Sequence, residues 1–156
     1  MALSQPHADY TSALTSGMIE DYLVILSYYN ASSSGSVGIS LKTSATFNSI
    51  EYTPFIIKAP TIREKIDLKN YTSSFGNVTI DCVDFPTSVS TFDLSNDAGF
   101  FSGEFYENSG SRYYINQQVQ IYSMLNDSNN ISKCLKIFEG RLTKTDINWE
   151  RKTIRL

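Results

Sequence analysis

The stretch "EDYLVILSYYN", residues 20–30, decides the fold class of this chain. It is a continuous apolar run with aromatic residues towards its end, and it is far longer than the short apolar clusters elsewhere in the sequence. Such a run, bounded on its far side by Asn30 and a serine-rich segment, is typical of a strand in the middle of a sheet. We therefore expect residues 20–30 to form a central β-strand.

The segments that follow predict hairpins around this strand. "ASSSGS" (31–36) predicts a flexible turn, and "VGISLKTS" (37–44) alternates apolar with polar residues, as expected for the returning strand. "IEYTPFIIKAP" (50–60) is interrupted by Pro54 and closed by Pro60. Because proline cannot donate a backbone hydrogen bond, this segment predicts an edge strand or an irregular crossing.

The middle of the chain carries the clearest alternation. "NVTIDCVDF" (77–85) has apolar residues at every second position and predicts a strand. "TIREKIDLKNYT" (61–72) fits helical spacing at its start and strand alternation at its centre, and the strand explains it slightly better. "SSFG" (73–76) predicts the turn between the two segments.

Four further segments complete an all-β pattern. "NQQVQIYSML" (116–125) and "KCLKIFEGRLT" (133–143) predict paired strands, and "TDIN" (145–148) pairs with "TIRL" (153–156) in a last hairpin. The pattern indicates an antiparallel small barrel or sandwich built from hairpins.

The domain organisation follows from the same pattern. Residues 1–18 are small and polar and predict a non-sheet N-terminal arm or a short helix, while residues 19–156 predict a single β domain. The alternation of Ile154 and Leu156 runs to the end of the sequence. Two interpretations stay open, a terminal strand docked in a sheet and the first domain of a longer chain.

Composition and charge exclude several classes of protein. A net charge of −3 and an isoelectric point near 5.1, with scattered basic residues, argue against specific nucleic-acid binding. No apolar run approaches the ~20 residues of a membrane span, so we expect no membrane insertion. Cys82 and Cys134 both lie in apolar, strand-like stretches. In a chain whose start lacks the features of a signal peptide, they predict buried free thiols.

The residues that carry catalysis are missing or misplaced. The only histidine, His7, lies in the polar arm, and the sequence has no glycine-rich phosphate loop and no paired cysteine motif. Asp93, Ser95, Asp97 and Glu104 have the spacing of calcium-loop ligands, but Ala98 occupies the position that requires glycine. We therefore predict a solvated turn there, and no enzyme activity, no cofactor and no metal site.

One aromatic segment is the candidate binding region. "GFFSGEFYENSGSRYY" (99–114) lies in a long glycine- and serine-rich stretch, residues 86–114, and its rings either fold onto the core or form a contact surface. The possible interface residues are Phe100, Phe101, Phe105, Tyr106, Arg112, Tyr113 and Tyr114. We expect this stretch and the arm to make contacts between subunits.

Several short phrases, taken in order, resemble a known family. The strand at 20–29 is followed by "YTP" (52–54), by the pair "IDL" and "GNVTI" within 66–80, by "VQIY" (119–122), and by "FEGRL" (138–142), which turns straight into another strand. This order is similar to the leading domain of the distal tail and baseplate hub proteins at the tail tip of bacteriophages.

The resemblance implies a structural role in the virion. Such a subunit would form a homo-oligomeric ring, six-fold or three-fold, that continues the tail tube and contacts neighbouring tail proteins. It would be assembled in the host cytoplasm and would have no catalytic activity. The alternative is a β-sandwich module that binds a carbohydrate or a receptor and stacks Phe101, Tyr113 and Tyr114 on sugar. A ring subunit is an obligate oligomer, whereas such a module binds glycans as a monomer.

Overall fold

A computed structural model shows an all-β protein, as the sequence predicts. It describes residues 8, 11–12, 20–30, 33–62, 64–67, 72–85, 99–102, 112–125 and 130–156. The described strands are, in order, β1 (Glu20–Asn30), β2 (Ser33–Ser40), β3 (Ala45–Phe47), β4 (Ile50–Thr53), β5 (Glu64–Asp67), β6 (Thr72–Phe75), β7 (Asp81–Val83), β8 (Gln118–Leu125), β9 (Leu135–Arg141), β10 (Asp146–Asn148) and β11 (Thr153–Arg155). Phe100–Ser102 forms one helical turn and Ile131–Lys133 one 3-10 turn.

Strand β1 lies in the middle of the larger sheet, which confirms the prediction made from its apolar run. The order of this six-stranded sheet is β3-β4-β2-β1-β8-β9, and β1 is antiparallel to both β2 and β8. Val24 and Leu26 belong to one buried cluster, and Leu23 and Ile25 belong to another. Because successive side chains of a strand point to opposite faces, β1 is buried on both sides.

A second, three-stranded sheet covers one face of the first. Its order is β10-β11-β7, and its inward residues Cys82 and Ile154 join Val24 and Leu26 in the main core. The arrangement is therefore a sandwich of two sheets, and the described strands of neither sheet close into a barrel. A third sheet consists of β5 and β6 alone.

The proline-containing segment after β4 crosses from one sheet to the other. The Ile56 N–H donates to the Ser40 carbonyl at 2.9 Å, and the Ile57 N–H donates to the Asp81 carbonyl at 2.9 Å. The predicted irregular crossing is thus confirmed. The predicted edge strand is wrong, because β4 lies between β3 and β2 and pairs with β2 in parallel.

Glycine makes this parallel pairing sterically feasible. A Cβ atom placed on Gly38 would lie 2.7 Å from the Glu51 carbonyl oxygen, so only glycine allows β4 to approach β2 this closely. The edge of the sheet is formed instead by β3, which the sequence did not predict. Asn48 and Ser49, both with positive φ, make the two-residue turn from β3 to β4.

Two predicted turns belong to strands. Ser33–Ser36 is the first half of β2, with Asn30 paired to Ser33, and Ser73–Phe75 is part of β6. Serine-rich composition indicated a turn, yet Ser33, Ser34 and Ser36 are exposed residues of β2, where their hydroxyl groups stay in contact with water. The strand predicted for "EKIDLK" is confirmed as β5 over Glu64–Asp67, which is antiparallel to β6.

The C-terminal predictions are confirmed. Strands β8 and β9 form an antiparallel pair, and β10 and β11 form the last hairpin. Strand β7 is shorter than predicted, but Ile80 continues its alternation and exchanges two backbone hydrogen bonds with Leu156, at 3.0 and 2.9 Å. Cys82 and Cys134 are free thiols, the first buried and the second partly buried. Of the predicted N-terminal arm, Ala8, Thr11 and Ser12 are described, and they are helical.

A buried carboxylate organises the loop that leaves β2. Asp21 is 2% exposed, and its Oδ1 accepts hydrogen bonds from the backbone N–H groups of Leu41 and Lys42, at 3.2 and 3.0 Å. Its Oδ2 accepts the Thr43 N–H at 2.8 Å. One buried side chain of β1 thus accepts hydrogen bonds from three successive backbone N–H groups and fixes the course of the loop.

Replacing Asp21 by alanine should lower the free energy of unfolding by about 3 kcal/mol, because the loop N–H groups lose a charged acceptor in a buried site. Urea denaturation followed by circular dichroism measures this loss. Asp146→Ala, at an exposed position of β10, is the matched control and should change stability by less than about 0.5 kcal/mol. Equal losses for the two variants would contradict the role given to Asp21.

Candidate interaction surfaces

The aromatic residues predicted from the 99–114 segment divide between core and surface. Phe101 is 1% exposed and lies in the main core, where its ring is 5.6 Å from that of Phe55. Phe100 is half-buried and stacks on Phe55 at 5.4 Å. Phe105 and Tyr106 lie outside the described residues. The helical turn that carries the two packed rings is held by Asp84, whose Oδ1 accepts the Phe101 N–H at 2.8 Å.

The remaining three candidates surround the end of β1. Tyr114 is buried and its ring centroid lies 5.5 Å from that of Tyr28, while the Arg112 guanidinium lies 4.8 Å from the centre of the Tyr28 ring. Arg112 and Tyr114 are two residues apart in an extended segment, so both contact the same face of the sheet as Tyr28. The contacts are a cation–π interaction and a tilted aromatic pair.

Tyr113 points to the opposite face, where it meets Tyr29. The two residues exchange both backbone hydrogen bonds, with N–O distances of 3.0 and 2.7 Å, so their side chains are direct cross-strand neighbours. Tyr29 is 50% exposed and Tyr113 is 52% exposed. We call Tyr29 and Tyr113 the tyrosine pair. The sequence did not indicate Tyr29, because Tyr28 and Tyr29 look alike until the covered face is known.

A cleft opens between the two sheets beside β9. It has a volume of about 250 Å3, and its apolar floor comes from β1, β8 and the ends of β7 and β11. The rim is polar and includes Glu139 and Arg141 of β9. Gly140 contributes no side chain here, and the ring of Phe138 lies over it. The residues lining the cleft are Leu26, Gly76, Asn77, Val78, Ile80, Val119, Ile121, Phe138, Glu139, Gly140, Arg141, Leu142, Thr143 and Leu156.

Strand β9 is the outer edge of the larger sheet on this side. Within the described part of the chain it pairs with β8 and with no further strand. The ladder slips beside Ile137, which is a bulge of the kind common at sheet edges. Glu139 accepts hydrogen bonds from Lys136 at 2.6 Å and from Gln118 at 2.7 Å, so the exposed face of the edge is polar.

The smaller sheet carries a row of alternating charges. Asp81 of β7 pairs with Lys58 at 2.9 Å and with Arg155 of β11 at 2.7 Å. Asp146, which is the cross-strand partner of Arg155, pairs with Lys144 at 2.9 Å. Hydrogen bonds from Arg155 and then from Lys58 hold the pKa of Asp81 below its usual value.

The two cysteine thiols are not activated. Burial raises the pKa of the Cys82 thiol, and burial together with the charge of Asp21 raises the pKa of Cys134 to about 11, so both stay protonated at neutral pH. Among the described residues, no three histidine, cysteine, aspartate or glutamate side chains group closely enough for a metal ion. The possible calcium ligands between 93 and 97, and Glu104, lie outside them. None of the described helices has the length and hydrophobicity of a membrane span.

Comparison with known proteins gives no relative: no protein-family model matches the chain, and none of the curated proteins matches it.

Replacing Gly35 by alanine should destabilise the protein by about 1–3 kcal/mol, because the added methyl group would overlap the ring of Tyr28, which lies across this glycine. That ring cannot move freely, since Arg112 and Tyr114 pack on it. Equilibrium urea denaturation measures the effect. Ser36→Ala, one residue further along β2 and on its exposed face, is the control, and a Gly35→Ala variant as stable as this control would show that Tyr28 is not fixed.

Replacing Asp81 by asparagine should flatten the pH dependence of stability in acid. Because the folded-state pKa of Asp81 lies below its unfolded value of about 3.9, its contribution is complete above that pH and disappears as the pH falls through the folded pKa. The parent should therefore be more stable than Asp81→Asn at pH 7, and the difference should shrink towards pH 2. Urea denaturation at several pH values measures it. Glu51→Gln, exposed on β4, is the control. A difference that does not change with pH would refute the ion pairs.

Proposed function

We propose that this protein is a structural subunit that assembles side by side into a ring, in the manner of the tail-tip proteins of bacteriophages that its sequence resembles. The observation that carries the proposal is the combination of β9, which pairs on one side only among the described strands, with an open cleft directly beside it whose floor is apolar and whose rim is polar. An exposed strand edge is a template for pairing with another chain, and apolar surface next to it favours burial. Both features are completed by a neighbouring subunit.

The two ends of the larger sheet differ, which favours a ring over a two-fold dimer. Strand β3 at one end has three residues, and β9 at the other has seven. A contact between unlike surfaces of identical subunits is heterologous, and it generates a closed ring when the rotation between neighbours closes. Pairing of β9 in one copy with the β3 end of the next would repeat in this way. The proposed ring has three or six copies.

The remaining features are compatible with a mechanical role. The β5–β6 hairpin pairs, within the described residues, only with itself, as an element that reaches towards another subunit would. A net charge of −3 suits a ring through which DNA passes, because a phosphate backbone does not adhere to a surface of like charge. In this proposal the ring lies in the virion tail, beside other tail proteins, and performs no chemical reaction.

Replacing Arg141 by proline should abolish assembly without unfolding the subunit. The Leu142 N–H donates to the Gln117 carbonyl of the neighbouring chain segment at 3.0 Å, so by the alternation of an antiparallel ladder the Arg141 N–H points to the free edge. Proline at this position removes a hydrogen-bond donor that faces a partner and leaves the β8 ladder in place. Size-exclusion chromatography with light scattering should show three or six copies for the parent and one for Arg141→Pro.

Arg141→Ala is the matched control. It loses the same side chain, including the 2.7 Å hydrogen bond from its guanidinium to the Asn116 carbonyl, but keeps the backbone N–H. It should assemble as the parent does, and electron microscopy should show rings for both. A parent that stays monomeric at every concentration would overturn the proposed function. Equal assembly of Arg141→Pro and Arg141→Ala would overturn the edge-strand mechanism and leave the ring itself standing.

A further inference from the structure

The tyrosine pair is an exposed aromatic surface, and contacts on the reverse face of the sheet hold it in place. Tyr29 of β1 and Tyr113 of the adjoining 112–114 segment are opposite each other, and each residue is about half exposed. On the reverse face, Tyr28 is held between Arg112 and Tyr114. Because neighbouring residues of a strand point to opposite faces, this inner packing sets the direction of both exposed rings.

On the β2 side, the described neighbours of the tyrosine pair are small, polar and uncharged. Ser34 of β2 is the cross-strand partner of Tyr29, Ser36 is the next residue on the same face, and both serines are exposed. Their short side chains leave the rings accessible from above. The sequence from Tyr22 to Leu41 contains all of β2 and all of β1 except its first two residues. It has no aspartate, glutamate, lysine or arginine.

This chemistry selects among ligands. A phosphate, a nucleic acid or an acidic peptide requires cationic groups, which the two strands do not offer. A wholly apolar partner would leave the serine hydroxyls and the tyrosine hydroxyls without hydrogen bonds. A neutral sugar ring has an apolar C–H face that packs on an aromatic ring, and hydroxyl groups at its edge that bond to serine and tyrosine hydroxyls.

We propose that the tyrosine pair is a binding platform for a neutral polysaccharide, in which Tyr29 and Tyr113 stack against successive sugar rings and Ser34 and Ser36 bond to their hydroxyls. Tyr29 lies on the face of β1 opposite to Leu26, which lines the cleft, so the platform and the cleft are on different faces of the sheet and the platform does not require a ring. In a ring it would occur once in every copy, and several weak sites on one particle bind a polymer much more tightly than a single site does.

Affinity electrophoresis tests this proposal with two named neutral polymers, hydroxyethyl cellulose and dextran, and one charged polymer, polygalacturonate, cast separately in native gels. The parent should be retarded by at least one neutral polymer and not by polygalacturonate. Tyr113→Ala and Tyr29→Ala should each weaken binding by about tenfold, since the loss of one stacked ring is worth about 1.4 kcal/mol. The double variant should migrate as it does in a gel without polymer.

The matched controls test whether binding requires the tyrosine pair or any large exposed apolar side chain. Trp149, on the β10–β11 hairpin, is 53% exposed, and Ile115 is 50% exposed beside the pair but is aliphatic. Trp149→Ala and Ile115→Ala should both be retarded as strongly as the parent. Thermal denaturation of every variant confirms that the fold persists, as expected for substitutions of exposed side chains.

Three outcomes would overturn the proposal. The first is a parent that neither neutral polymer retards. The second is a tyrosine variant that binds as the parent does, or a Trp149→Ala variant that loses binding to the same degree. The third is a change in the number of copies, measured by light scattering, when Tyr29 or Tyr113 is replaced, because the pair would then be a contact between subunits. The Arg141→Pro variant should still bind polymer, and more weakly if assembly adds sites.

Discussion

The burial of β1 on both faces is the constraint on which the rest of the structure depends. Each Leu, Ile or Val side chain removed from water contributes about 1.5–3 kcal/mol, so Val24 and Leu26 on one face and Leu23 and Ile25 on the other all require cover. The three-stranded sheet covers the first face. Phe47 and Tyr52 of the β3–β4 hairpin, with Met124 of β8, cover the second. The sandwich and the position of the β3–β4 hairpin at the end of the larger sheet both serve to bury one apolar strand.

The space between the two sheets is closed beside β2 and open beside β9. Beside β2 the chain itself closes the gap, because residues 54–58 run from the larger sheet to β7 and bond to both. Beside β9 no described segment does this, and the cleft stays open there. The free strand edge and the cleft therefore have a common origin, and they concentrate apolar surface and unpaired backbone at one place.

The periodicity of the sequence predicted where the strands lie far better than it predicted which strands pair with each other. The alternation of Val119 and Ile121 with polar residues marked β8 closely, because these two residues are buried and the glutamines beside them are not, and the predicted strand 133–143 contains β9. The position of β4 could not be predicted in this way, because its parallel pairing with β2 depends on the absence of a side chain at Gly38. Among the candidate site residues, Phe101 and Tyr113 looked equivalent in sequence. Only the covering sheet makes the first a core residue and the second a surface residue.

The exposure of the tyrosine pair follows from the contacts that their neighbours make on the inner face of the larger sheet. At the end of β1 the side chain of Tyr28 points inwards and that of Tyr29 points outwards. Because Tyr113 pairs with Tyr29 through two backbone hydrogen bonds, its neighbours Arg112 and Tyr114 lie on the inner face with Tyr28. Arg112 and Tyr114 enclose Tyr28 there, so the 112–114 segment cannot turn its middle ring inwards without giving up both contacts. The packing of Arg112 and Tyr114 on Tyr28 thus offsets the free energy that it costs to keep Tyr29 and Tyr113 exposed to solvent. A ligand that stacks on them meets a surface already ordered, and ordering it costs the complex little.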